Sequence, residues 1–188
     1  MSKIFFIGDT HFGHTKEFLW KPRGYQSSEE HDQDIIIKWN TVVSADDDVY
    51  VVGDLMLGDN AHGIECVKQL NGHIHLVRGN HDTDRRWEEI YPNIPNIVEF
   101  CDWSTMIKYG KYHFLISHFP TLTGNLEKES LKQMTLNIYA HTHQKTKFYE
   151  DRPYMYCVSA DAHNCYPVEI TQIIEDMEQQ VKSCLSEL

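Results

Sequence analysis

The densest chemistry in the chain lies in Arg78-Gly79-Asn80-His81-Asp82, where an amide, an imidazole and a carboxylate stand in a row. Alone, such a stretch is also ordinary turn punctuation. Its grammar recurs, however: an apolar run ends in a small residue and then a side chain able to bind a metal or move a proton. Gly8-Asp9, Gly53-Asp54, Gly79-Asn80, Ser117-His118 and Ala140-His141 all follow it, and His11 and His143 each stand two residues beyond a member of that set. Asp9, His11, Asp54, Asn80, His118, His141 and His143 thus form a mixed oxygen and nitrogen donor set without sulfur. Such a set suits hard or borderline divalent ions such as Mn, Fe or Zn. Seven donors are too many for one such ion, and with one carboxylate bridging they suit two. Two ions roughly 3.5–4 Å apart clamp a phosphoryl group and bring the pKa of a shared water near neutrality. The leaving alkoxide still needs a proton. His81 is free to give it, and Asp82 beside it can orient that ring or raise its basicity.

These residues have to be delivered by elements the sequence also marks. Ile4-Phe5-Phe6-Ile7 and Val49-Tyr50-Val51-Val52 are apolar runs of the kind found in strands buried on both faces. His73–Val77 is a third strand. His73 and His75 lie inside it and read as structural histidines rather than ligands. Ile97–Tyr109 and Lys111–Ser117 read as two strands turned at Gly110, Asn137–Ala140 as another, and Tyr154–Ser159 as the last. Helices are expected from Ser28 through Val43, with Glu29 and Glu30 at the start, and over Ala61–Leu70, Asp84–Tyr91 and Glu127–Met134. A closing helix from Val168 carries Ile170, Ile173, Ile174, Met177, Val181 and Leu185 on one face. Asp46-Asp47-Asp48 reads as a solvated acidic turn, because the residues after it lack the alternating ligands and the Glu of a calcium loop. Open α/β sheets place their crevice beyond the carboxyl ends of the strands, so the five strand ends can converge.

Asp9-x-His11, Gly53-Asp54, Gly79-Asn80-His81-Asp82, Ser117-His118 and His141-x-His143, in this order, resemble the full signature of the calcineurin-like metallophosphoesterases. Gly8 to His14, Trp39-Asn40, Asp161-Ala162-His163-Asn164 and Pro167 are similar to a branch of small, uncapped bacterial and phage phosphoesterases. The resemblance implies an α/β fold, a four-layer α/β/β/α sandwich of two mixed β-sheets flanked by helices. It implies that Asp9, His11 and His143 hold one ion, that Asn80, His118 and His141 hold the other, that Asp54 bridges them, and that His81 is the general acid. Two departures stand out. Ala140 replaces a usual glycine, which is tolerated unless that residue needs a positive φ. The branch often carries Arg-Pro near residue 22, where this chain reads Lys21-Pro22-Arg23. Arg23 is therefore either a phosphate-binding group or a solvated loop arginine. His14 either meets the substrate phosphate or makes a hydrogen bond behind the ligands. Asn40 reads as a buried amide behind the ligands or a helix-packing amide, not a ligand, and Asp161 and His163 as pocket rim or polar turn.

The expected activity is hydrolysis of a phosphodiester or phosphomonoester of a small, nucleotide-like substrate, with two divalent metal ions as cofactors. A nuclease of DNA or RNA ends and a non-catalytic scaffold are the alternatives. At 188 residues the chain suits one domain spanning 1–188. A formal charge of −11 repels a phosphate backbone, so the expected partner is a small phosphoester and not duplex nucleic acid. Cys66, Cys101, Cys157, Cys165 and Cys184 are odd in number and lack Cys-x-x-Cys spacing, as reduced thiols of a cytosolic protein would. The apolar run after Met1-Ser2-Lys3 is too short for a signal peptide, and no run has transmembrane length, so a cytoplasmic protein with no membrane partner is expected.

Overall fold

The computed structural model describes residues 2–128 and 130–186, without the side chains of Leu185 and Ser186. Two mixed sheets lie face to face, flanked by helices, which is the expected α/β sandwich. The first sheet has five strands in the order β4 (Ile97–Cys101), β3 (His73–Val77), β2 (Asp48–Val52), β1 (Ile4–Ile7), β9 (Val168–Glu169). Its first four are parallel and β9 runs against β1. The second has four strands in the order β5 (Ser104–Tyr109), β6 (Tyr112–Ser117), β7 (Thr135–Tyr139), β8 (Met155–Cys157), with β6, β7 and β8 parallel.

Alternation along the strands divides two cores. Phe5, Ile7, Val49, Val51, Ile74 and Leu76 pack with Ile35, Ile36 and Trp39 of α2 (Ser28–Val42), which follows the short α1 (Glu17–Trp20), and with Cys66 and Val67 of α3 (Asn60–Val67). Phe6, Val52 and Val77 face Phe114, Ile116, Leu136, Ile138 and Tyr156 across the sandwich, where α4 (Ile170–Ser186) adds Ile170, Ile173 and Met177. The last member of the α4 stripe, Leu185, has a side chain outside the described residues. Helix starts follow capping chemistry: Ser27 Oγ accepts from Glu30 N, Glu30 reaches back to Gln26 N, and Asp59 accepts from Ala61 N and His62 N. Asn40 ties α2 to the end of α3 through Gln69 O and Asn71 N, the packing amide expected. His75 stands between Asp48 and Glu99, and exposed His73 makes no part of the centre described below.

Several expectations need correction. Ile97–Tyr109 is not one strand: it breaks at Asp102-Trp103, where Trp103 takes φ 65°, so that β4 joins the first sheet and β5 the second. The hairpin at Gly110 is present. The short helix expected over Asp84–Tyr91 is present, but only Asp84 and Arg85 are α-helical; it widens to a π-helical turn over Arg86–Ile90 and runs into a 3-10 turn, Tyr91–Asn93, that contains Pro92. In place of a helix over Glu127–Met134 only the 3-10 turn Leu131–Gln133 forms, and Glu129 lies outside the described residues. Asp47 is not solvated. It is buried, and its carboxylate accepts from Lys3 N and Ser44 N, locking the entry to β2. Among the described residues no helix is long and apolar enough to cross a membrane.

Candidate metal centre

β1, β2, β3, β6 and β7 all end at one side of the sandwich, and their next residues meet there. Asp9, His11, Asp54, His141 and His143 each take a left-handed backbone, with φ between 49° and 67°. Asp and His tolerate this region better than most side chains, yet each instance still costs on the order of 1–3 kcal/mol. The packing around them imposes it. Gly79 permits the closest approach: a Cβ there would lie 2.3 Å from Asp54 Oδ1 and 2.6 Å from Asp54 N. Ala140 is fully buried and takes no positive φ, so its methyl group is compatible with the turn.

The donors form two neighbouring groups. In the first, Asp9, His11 and His143 bring one donor atom each within 4.8 Å of one another. His11 Nε2 faces His143 Nε2 at 3.3 Å. Asp161 accepts from His143 Nδ1 at 2.9 Å, so neutral His143 carries its proton there and turns the Nε2 lone pair toward His11. Both carboxylate oxygens of Asp9 are buried without a hydrogen-bond partner. An orphaned carboxylate beside two facing imidazole nitrogens is costly as it stands and fits a shared cation.

In the second group, His118 Nδ1 donates to Val52 O at 2.9 Å, which aims Nε2 at Asn80 Oδ1, 2.9 Å away, and at Asp54 Oδ2, 3.4 Å away. Burial opposes charge on His118. The hydrogen bond and charge of Asp54, with the charge of Asp9, overcome it and raise the pKa to about 9. Burial likewise pushes Asp54 up, but His118 and His11 outweigh it and bring the carboxyl to about 2. Both shifts report a site built to hold positive charge. Asp54 Oδ2 also lies 3.8 Å from His11 Nε2, between the two groups. His141 packs on His118, with ring centroids 5.0 Å apart, and feels the charges of Asp9 and Asp54.

The 78–82 turn is held from below. Asp82 is buried; its Oδ2 accepts from Asp54 N and Gly79 N, and its Oδ1 from Tyr91 OH. His81 N donates to Asp54 Oδ1 at 2.8 Å, and the exposed His81 ring stands edge-on to His11, 5.6 Å between centroids.

A model of the calcineurin-like phosphoesterases matches residues 2–169. The chain belongs to that family. Membership implies a hydrolase of phosphoric esters that uses divalent metals, in keeping with the donor set of Asp9, His11, Asp54 and His118. The uncharacterized protein MJ1445 of Methanocaldococcus jannaschii is 28% identical over 187 residues, covering 95% of this chain and 93% of its own. Gene 66 protein of Mycobacterium phage D29 is 24% identical over 200 residues, covering 95% of this chain and 99% of its own. Among solved structures, the protein of unknown function AQ665 from Aquifex aeolicus shares the fold, with TM-score 0.69, 22% identity, and coverage of 93% of this chain and 99% of that one.

Against this calcineurin-like frame the assignments of Arg23, Asp82 and His163 change. Arg23 does not reach the cleft as a phosphate ligand, nor is it solvated. Its Nε and one terminal nitrogen grip Asp161 at 3.1 and 2.7 Å, and it also reaches Asp9 O and His31 Nε2, both at 2.8 Å, and His143 Nδ1 at 3.5 Å. It is a buried brace that fixes Asp161, which fixes His143. Burial disfavours the Asp161 charge, but His143 and Arg23 hold its carboxyl far below the usual range. Asp82 does not orient the His81 ring, because both its oxygens serve the backbone of the turn and Tyr91. Asp161 itself was legible only as a rim residue, and His163 is no rim residue, since its Nε2 donates to Cys157 O beneath a stack with Tyr156. His14 lines the cleft. Its Nε2 is buried and unpartnered in a cleft of about 580 Å³ shared with His11, Phe18, Leu19, Leu57, His81 and Lys145.

Proposed function

We propose that this chain, acting as one domain over residues 1–188, is a cytoplasmic, dinuclear-metal phosphoesterase that cleaves a phosphodiester or phosphomonoester bond of a small, nucleotide-like substrate. Mn is the leading metal, with Fe and Zn as the other candidates. The observation that carries this reading is the convergence of donor atoms in two neighbouring groups, Asp9 with His11 and His143 and Asp9 with Asp54 and His118, with Asp54 Oδ2 3.8 Å from His11 Nε2 and 3.4 Å from His118 Nε2, beside the cleft that His11 and His143 line. Asp9, His11 and His143 would hold one ion; Asn80, His118 and His141 would hold the other, with Asp54 between them. When bound, two such ions supply Lewis-acid charge for the phosphoryl oxygens and acidify a water.

The remaining work belongs to the protein's own groups. His81 gives its proton to the departing ester oxygen from the cleft mouth, where it is exposed enough to exchange with water. His14 Nε2 donates to a phosphate oxygen, which supplies the partner it lacks. Asp82 sets the distance between His81 and Asp54 by holding the backbone nitrogens of Gly79 and Asp54. Phe18, Leu19 and Leu57 offer an apolar wall, and Lys145 a cation, to the rest of the substrate. A planar base with a sugar phosphate matches that combination better than a bare phosphate does.

The test is a hydrolysis panel of cyclic nucleotides, nucleotide monophosphates and aryl phosphodiesters on protein reconstituted with Mn, Fe or Zn. Turnover with about two ions per chain is the expected outcome. No hydrolysis with any of the metals, or a chain that binds none, would overturn the proposal and favour a scaffold.

A further inference from the structure

A second cluster of metal-binding side chains lies away from the cleft, between α2 and α3. His62 and Cys66 are four residues apart on α3, so they share one helix face, and Asp32 of α2 points at them. His62 Nε2 is 3.0 Å from Asp32 Oδ2 and 3.4 Å from Cys66 Sγ. One ring nitrogen carries either a proton or a lone pair. Protonated, it donates to the carboxylate and reaches the sulfur only as a weak, shared second acceptor; deprotonated, it accepts from the thiol and turns a lone pair on the carboxylate, so hydrogen bonding satisfies at most one of these contacts well. A cation satisfies both, because carboxylate, imidazole and thiolate each then offer a lone pair.

We propose that Asp32, His62 and Cys66 form a site for a thiophilic divalent cation of the zinc class, separate from the phosphoesterase centre. Donors around a tetrahedral zinc lie roughly 3.3–3.6 Å apart. The His62–Cys66 distance already falls in that range, and the His62–Asp32 distance reaches it with a small swing of His62, whose side chain is 45% exposed. That exposure leaves the fourth position to water. Cys66 gives up its thiol proton to solvent on coordination, as thiol ligands do. Sulfur also sets this site apart chemically, since the cleft offers only nitrogen and oxygen and the two sites would sort ions by softness.

The site has a mechanical consequence. Asp32 Oδ2 also accepts from Gly13 N at 2.9 Å, and Gly13 lies in the loop that carries His11 and His14. Asp32 Oδ1 accepts from His31 Nδ1, whose other nitrogen accepts from Arg23. A cation here would rivet α2 to α3 directly behind the loop that supplies two cleft histidines.

The experiment is a Co²⁺ titration of the reduced, chelator-stripped full chain, read by the near-ultraviolet thiolate-to-cobalt charge-transfer band. The cleft donors lack sulfur and give no such band, so the readout is independent of whether the chain is a phosphoesterase. The band should saturate at the intensity of one thiolate-bound cobalt per chain, whatever further cobalt the cleft takes up, disappear when Zn²⁺ is added, and be absent from both Cys66→Ser and His62→Ala. His62→Ala alters a half-exposed position and covers the case in which the buried Cys66 variant fails to fold, with circular dichroism as the check. No band in the wild type at saturating cobalt, or a band surviving in either folded variant, would overturn the proposal.

Discussion

His118 and His143 face the proposed metal centre from opposite ends, yet the fold secures them differently. His118 is fixed by the main chain: Val52 O takes its Nδ1 proton, and no side chain intervenes. It is fully buried. His143, with a side chain 38% exposed, is fixed by a relay of side chains in which Arg23 grips Asp161 and Asp161 takes the Nδ1 proton. The first arrangement is as rigid as the sheet that carries it. The second can be loosened by one side-chain substitution without moving a strand.

The largest effect is expected where the main-chain end is broken. Gly53 takes φ 81°, and a Cβ there would lie 2.3 Å from His118 Nδ1 and 2.8 Å from Gly79 Cα. Gly53→Ala combines the left-handed penalty of about 1–2 kcal/mol with overpacking of about 1–3 kcal/mol. Urea unfolding should show a loss of several kcal/mol, and metal analysis a loss of ions from the whole centre. Asp161→Asn should act on the other end alone. Removing the carboxylate behind a ligating histidine typically costs 10–100-fold in metal affinity. Competition titration should show one ion weakened by about that factor and the other unchanged, with the fold intact.

The smallest effect should come from outside both ends. Asp176 on α4 accepts from Lys147 Nζ, Tyr156 OH and Gln172 Nε2. Burial pushes its carboxyl up, but those hydrogen bonds outweigh it, so its folded pKa is lowered. A lowered carboxylate contributes stability that is present above its unfolded value near pH 3.9 and is lost as pH falls through the lower folded value. Asp176→Asn should therefore cost about 1 kcal/mol at neutral pH and nothing once the wild-type carboxyl is protonated. Acid titration of unfolding monitors this, with ion binding at both ends unaffected.

What the sequence made legible follows the same division. The strand ends could be read because each apolar run stops at a small residue and a donor, so that all seven donors face one side. Which residue makes each turn could not: the left-handed backbone falls on Asp9, Asp54 and His141 themselves, while the small residue often serves only to let another element approach. The relay was hidden for a different reason. Arg23 and Asp161 are 138 positions apart, and no periodicity links them. Asp82 misled through adjacency, since a neighbour in sequence need not share the direction of its neighbour's side chain. The break at Trp103 was concealed by a run that stays strand-like on both sides of it.

His81 is proposed to act in proton transfer and not in holding metal. The most direct test is His81→Ala on the metal-reconstituted protein, assayed against phosphodiesters whose leaving groups range from nitrophenol to alkyl alcohols. The predicted result is unchanged metal content, a small loss with the best leaving group, and a loss on the order of 10²–10⁴ with the poorest. Loss of metal, or the same loss across the whole series, would contradict it.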